Sequence, residues 1–226
     1  MRSILASAAF ALTLAGFVAP AGAAPITYEI SGIGTGSIGG TAFTDALVVF
    51  TGTADTANVE VIFGFIYALP LDTLTVNIAG VGTATLTEPA GLFGVPFTIP
   101  DEMDDEDEFP AFPFVLLGRL DDPPALEGFT GMGATASDAL TGYDLTTAIG
   151  PVVGPGGVGF NEDCGGGDPC LATSMGLLSF THNILDDESE GTFTATLQEV
   201  PEPATLLLMG GGLAAFVRRS RRGARR

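Results

Sequence analysis

Thr192-Phe193-Thr194-Ala195-Thr196-Leu197 alternates strictly, with apolar side chains at the odd positions and threonines at the even ones. Successive side chains of a strand point to opposite faces, so this stretch reads as a β-strand with one buried face and one wet face. The same grammar recurs upstream. Residues 26–33, 46–53, 59–67, 73–78 and 82–87 are short apolar or alternating runs bounded by glycine-rich turns. Residues 92–99, 112–117, 174–180 and 191–197 continue the series. Nine or ten such strands, with few segments of helical period, predict an all-β fold. Its expected form is an antiparallel β-sandwich, with a jelly-roll arrangement among the candidates. No heptads and no tandem repeat interrupt the pattern.

Outside these strands the two chain ends read differently. Residues 1–23 carry a positive charge at Arg2, an apolar core over 4–18 and a helix-breaking Pro20. Ala21-Gly22-Ala23 then supplies the small-residue site of a secretory signal peptide. Signal peptidase is expected to cut after Ala23, because a cut after Ala24 would place Pro25 beside the scissile bond. The exported body is then residues 24–199.

Removing the ends changes the charge sharply. The chain has 8 basic and 27 acidic residues. Arg2 and six arginines at the C-terminus leave with the signals, so the body keeps only Arg119. Glu202 is the one acid beyond the body, whose formal net charge is therefore −25. Such a surface repels nucleic acid and anionic lipid, both of which need a basic footprint. It suits a strongly hydrated exported protein.

The C-terminus reads Val200-Pro201-Glu202-Pro203, then an apolar stretch over 203–217, then Arg218, Arg219, Arg221, Arg222, Arg225 and Arg226. The prolines donate no backbone hydrogen bond and favour extended chain, which a processing protease can grip. The 15 uncharged residues fall short of the roughly 20 that a spanning helix needs. A short transmembrane helix is expected there, a transient inner-membrane tether. The arginines hold the extreme C-terminus in the cytoplasm by the positive-inside rule.

This order of parts resembles the PEP-CTERM sorting domain of Gram-negative surface proteins, carried by Pro201-Glu202-Pro203, the apolar run and the arginine cluster. The resemblance implies recognition by an exosortase, a membrane cysteine protease, and removal of residues 200–226 near the motif. It also implies association with exopolysaccharide and biofilm, at the cell surface or in the extracellular matrix. More loosely, residues 31–45 resemble the region that opens the β domain of such proteins, a strand, a Gly-rich hairpin and a second strand.

Between the signals, motifs of chemistry are few. Gly34-Thr35-Gly36-Ser37-Ile38-Gly39 fits G-x-G-x-x-G, yet Gly40, Thr41 and another strand follow instead of a helix, so it reads as a hairpin turn. Residues 101–108 hold seven carboxylates. Asp101, Asp104, Asp105 and Asp107 are the candidate Ca²⁺ ligands there, since hard cations take six to eight oxygens. The ordered EF-hand spacing is missing, and the preferred reading is a solvated loop without a cofactor. Asp186-Asp187-Glu188 with Glu190 reads as an acidic turn before the last strand. Cys164 and Cys170, the only cysteines, are expected to form a disulfide in an exported chain and to pin a Gly/Pro-rich loop over 150–168. Two thiols alone do not make a zinc site.

His182 is the only histidine, and no G-x-S-x-G elbow accompanies it. Tryptophan is absent and tyrosine occurs three times, leaving few aromatic platforms for sugars. These observations predict a non-enzymatic exported β-sandwich, met by exosortase and signal peptidase during export. The competing class is a calcium-dependent adhesin or carbohydrate-binding module that uses an acidic loop.

Overall fold

The computed structural model describes residues 25–97, 113–120, 131–159, 171–181 and 189–198. Their regular structure is β, apart from short 3-10 turns. The strands are β1 (Pro25–Ile38), β2 (Thr41–Asp55), β3 (Glu60–Ile62), β4 (Ile66–Pro70), β5 (Thr73–Ile78), β6 (Gly82–Thr85) and β7 (Ala90–Val95). They continue as β8 (Phe114–Arg119), β9 (Gly131–Ala136), β10 (Ile149–Val158), β11 (Leu171–Thr173), β12 (Gly176–Phe180) and β13 (Glu190–Leu197). Every pairing is antiparallel.

Hydrogen-bonded neighbours run β3-β4-β7-β8-β9-β10-β13-β1-β2-β5-β6. The result is sandwich-like, with one layer built on β13-β1-β2-β5-β6 and the other on β3-β4-β7-β8-β9. β10 belongs to both layers, pairing with β13 over Ile149 to Pro155 and with β9 over Gly156 to Val158. Gly156 and Gly157 make the change at φ of +127° and +137°, a region closed to ordinary side chains. Most neighbours are consecutive hairpins, with β13 inserted between β10 and β1. The two Greek keys of a jelly roll are not the pattern of these pairings.

One half closes on itself. β12 pairs with β1 at Gly36 to Ile38, and β11 pairs with β12. Beyond β6, Leu86 bridges Thr173, and the Thr87 N–H donates to the Ala172 carbonyl at 3.0 Å. The ring β1-β2-β5-β6-β11-β12 covers what would be an open edge at β6.

Alternation puts Ile26, Tyr28, Ile30, Val48, Phe50, Val76, Phe193 and Ala195 inward from the first layer. They meet Leu69, Leu92, Val115, Leu117 and Met132 of the second layer in one core. A second cluster, Ile66, Ala68, Phe93, Val95, Phe114 and Ala136, lies on the other side of the second layer. All six residues of β7 are accordingly buried.

Several expectations are corrected. The run 59–67 is a hairpin, because Phe63-Gly64 turns the chain between β3 and β4. Residues 34–38 continue β1 through a bulge between Gly34 and Gly36, and the turn sits at Gly39-Gly40, φ +55° and +82°. The loop expected over 150–168 begins as strand β10, and β9 and β11 are additional strands. Prolines suit β10 because Pro151 falls where its register with β13 shifts, between Ile149 and Val152. No helix among the described residues is long and apolar enough to cross a membrane; the apolar stretch 203–217 lies outside them.

Candidate functional site

The body hands over to its C-terminal segment at β13. This strand lies in the middle of its layer, between β10 and β1. Phe193 is fully buried, stacked on Tyr28 at 6.2 Å between centroids and edge-on to Tyr143 at 5.8 Å. The Gln198 N–H donates to the Pro25 carbonyl at 2.8 Å, and its side-chain amide donates to Thr27 Oγ1 at 2.8 Å. Pro25 is also opposite Asp55, the last residue of β2. The first strand therefore enters, and the last strand leaves, at one end of the body. A processing segment attached after Gln198 is separated from a central, well-packed strand by almost no spacer.

The Tyr28–Phe193–Tyr143 cluster anchors a loop. The Tyr28 hydroxyl donates to the Leu145 carbonyl, and the Tyr143 hydroxyl to the Thr147 carbonyl at 3.0 Å. Burial, first, pushes both phenols above their ordinary range near 10, and the charge of Asp144 adds to the shift. Tyr143 raises Tyr28 further. Both stay neutral around pH 7, so the cluster holds structure and offers no acid or base there. Asp144 closes the loop, accepting at 3.0 Å from the Thr146 N–H and at 2.7 Å from its hydroxyl.

The wet face of the first layer is rich in threonine. Thr27, Thr51, Thr53, Thr73, Thr75, Thr192 and Thr194 line it, with Glu29 among them. Thr53 and Thr73 share a hydrogen bond at 2.7 Å, and the Thr75 hydroxyl donates to the Thr51 carbonyl at 3.3 Å. These links are cross-strand pairs that support the sheet. Arg119, the body's one cation, lies 3.2 Å from the carboxylate of Glu88.

Among the described residues, no three His, Cys, Asp or Glu side chains converge to hold a metal ion. Most residues singled out from the sequence lie outside the described set. These are Ala21, Ala23, Asp101, Asp104, Asp105, Asp107, Cys164, Cys170 and His182, the motif at 200–203 and the arginines from 218 onward. Glu190 is described, exposed at the start of β13. The aromatic anchor of residues 28, 143 and 193 had no local signal, since its members are 115 and 50 positions apart in the chain.

An all-β body that passes at once into a terminal segment of motif, apolar run and arginines has the build of an exported protein carrying a C-terminal sorting signal. Residues 199–222 match the family model of the PEP-CTERM protein-sorting motif. The chain carries a PEP-CTERM sorting motif at its C-terminal end, and the motif implies an exported substrate of exosortase sorting, directed to the cell envelope or surface. No curated protein and no solved structure matches the chain.

Proposed function

We propose that the chain is a non-enzymatic protein of the cell surface or extracellular matrix, associated with exopolysaccharide or biofilm. In this reading residues 1–23 are removed by signal peptidase. The body, 24–199, is then held at the inner membrane by the apolar stretch 203–217, with the arginines inside, until exosortase cuts near Pro201-Glu202-Pro203. The observation that carries the reading is the sorting motif at 199–222, placed directly behind the last strand of the folded body. Its acidity agrees, since a body at −25 stays hydrated and avoids anionic surfaces.

No catalytic role or resident cofactor is assigned to the body. Replacing Glu202 with Ala tests the processing step. Signal-peptide removal should continue while the precursor accumulates in the inner membrane with its arginines attached. Normal release of Glu202→Ala protein would refute the role of the motif. A thermal melt with millimolar Ca²⁺ tests the calcium-dependent alternative at Asp101, Asp104, Asp105 and Asp107. The proposal expects an unchanged midpoint, because only a ligand of the native state raises apparent stability.

A further inference from the structure

The hairpin of β3 and β4 ends in a feature that packing does not explain. Val61-Ile62-Phe63-Gly64-Phe65-Ile66 contains six consecutive residues without a polar side chain. Ile62 and Ile66 point inward, against the second hydrophobic cluster. Val61, Phe63 and Phe65 point out, at 55%, 60% and 43% exposure, and Phe97, itself 37% exposed, meets Phe65 edge-on at 5.6 Å. An exposed apolar tip of this kind marks a contact surface, because water disfavours it and soluble surfaces rarely gather one.

The turn adds an independent sign. The Phe65 N–H donates to the Ile62 carbonyl at 3.2 Å, with Phe63 at φ +52° and Gly64 at φ +80°. Two successive left-handed residues in a turn are what asparagine or aspartate before glycine fits best. A phenylalanine at the first position is strained by contact between its Cβ and the backbone. Strain retained at an exposed position directs attention to what the side chain does outside the fold.

Two facts select the partner. Asp55, at the end of the body where Gln198 leaves, caps the 3-10 turn Thr56–Asn58 that leads into β3. The hairpin is therefore rooted at the end from which the membrane-directed segment departs. A second copy fits less well. It would bring another body of charge −25, and β3 offers only three residues of free edge.

We infer that Val61, Phe63, Phe65 and Phe97 form a docking tip that enters the lipid interface of the membrane while the precursor is tethered. The inference rests on the tethered precursor of the proposed function. Docking would fix the orientation of the body above the bilayer and steady the short link before Pro201 for processing. Aromatic rings suit this depth, where one side is apolar and the other wet.

The test uses the natural absence of tryptophan. Full-length Phe63→Trp protein is reconstituted into phosphatidylcholine vesicles with and without acyl-chain bromination, and Thr83→Trp, on exposed β6, is the control. Position 63 should emit to the blue of the control, and bromine should quench it at least twofold while leaving position 83 unchanged. Phe65→Trp should behave as position 63 does and serves if Phe63→Trp loses its far-UV spectrum. Chains that float with the vesicles but show no quenching at 63 and 65 overturn the docking tip and leave the tether intact. Chains that fail to float overturn both. A blue shift that needs no vesicles and grows with protein concentration makes a second copy the occupant and also overturns it.

Discussion

Replacing Phe193 with Ala tests the packing of the C-terminal strand in the core. The ring is fully buried, and it contacts Tyr28 and Tyr143 at centroid distances of 6.2 Å and 5.8 Å. Phe→Ala substitutions in cores cost about 3–5 kcal/mol, from lost transfer free energy and the cavity left behind. Two aromatic partners place this site at the upper end, about 4–5 kcal/mol. Domains of this kind are stable by about 5–15 kcal/mol, so the variant stays folded only if the parent is well above the minimum. Thr194, the next residue, faces water, and its change to Ala should cost under about 0.5 kcal/mol. Urea titrations followed by far-UV circular dichroism measure both. A loss below about 1 kcal/mol at 193, or one above about 2 kcal/mol at 194, would refute the assignment of faces on β13.

Where β10 changes layers, a Cβ on Gly154 would collide with the Ala136 carbonyl, whereas one on Gly150 meets nothing within 4 Å. Gly154→Ala should therefore cost about 3 kcal/mol and Gly150→Ala within about 0.5 kcal/mol, read by the same titrations. Tyr28 and Tyr143 have phenols raised above their unfolded value near 10, so the native state holds their protons more tightly. Their contribution is complete below pH 10 and is lost above it, by up to about 1.4 kcal/mol per pH unit for each tyrosine. Urea midpoints should hold up to about pH 10 and fall above it, and Tyr28→Phe should flatten the fall. Cys164 and Cys170 should map to one bonded peptide in exported protein under non-reducing digestion; reduction should lower the stability of the body by no more than about 2 kcal/mol, because the closed loop is short.

Legibility in the sequence followed the side chains. β5 (Thr73–Ile78) was readable end to end because Leu74, Val76 and Ile78 alternate with polar neighbours. Residues 191–197 were readable for the same reason, short of β13 by one residue. β9 (Gly131–Ala136) reads Gly-Met-Gly-Ala-Thr-Ala and carries too few large side chains to show a period. Its glycine has a tertiary cause, since a Cβ on Gly133 would lie 2.9 Å from Ile30 Cγ2. β10 was hidden by its glycines and prolines, which serve a bulge and a change of layer that only the assembled sheet requires. The run 59–67 concealed a turn because phenylalanine stands where asparagine is usual. The sorting motif was fully legible, since it is one linear segment, residues 199–222. The aromatic anchor and the exposed hairpin tip depend on which residues meet across the fold.

Removal of the C-terminal segment as a sorting signal would leave an acidic β-sandwich at the surface. Mass spectrometry of the terminal peptides of protein isolated from the cell surface tests it most directly. The mature chain is expected to begin at Ala24 and to end near Pro201-Glu202-Pro203. A surface protein that still carries Arg218, Arg219 and the residues after them would contradict it and make the segment a permanent anchor.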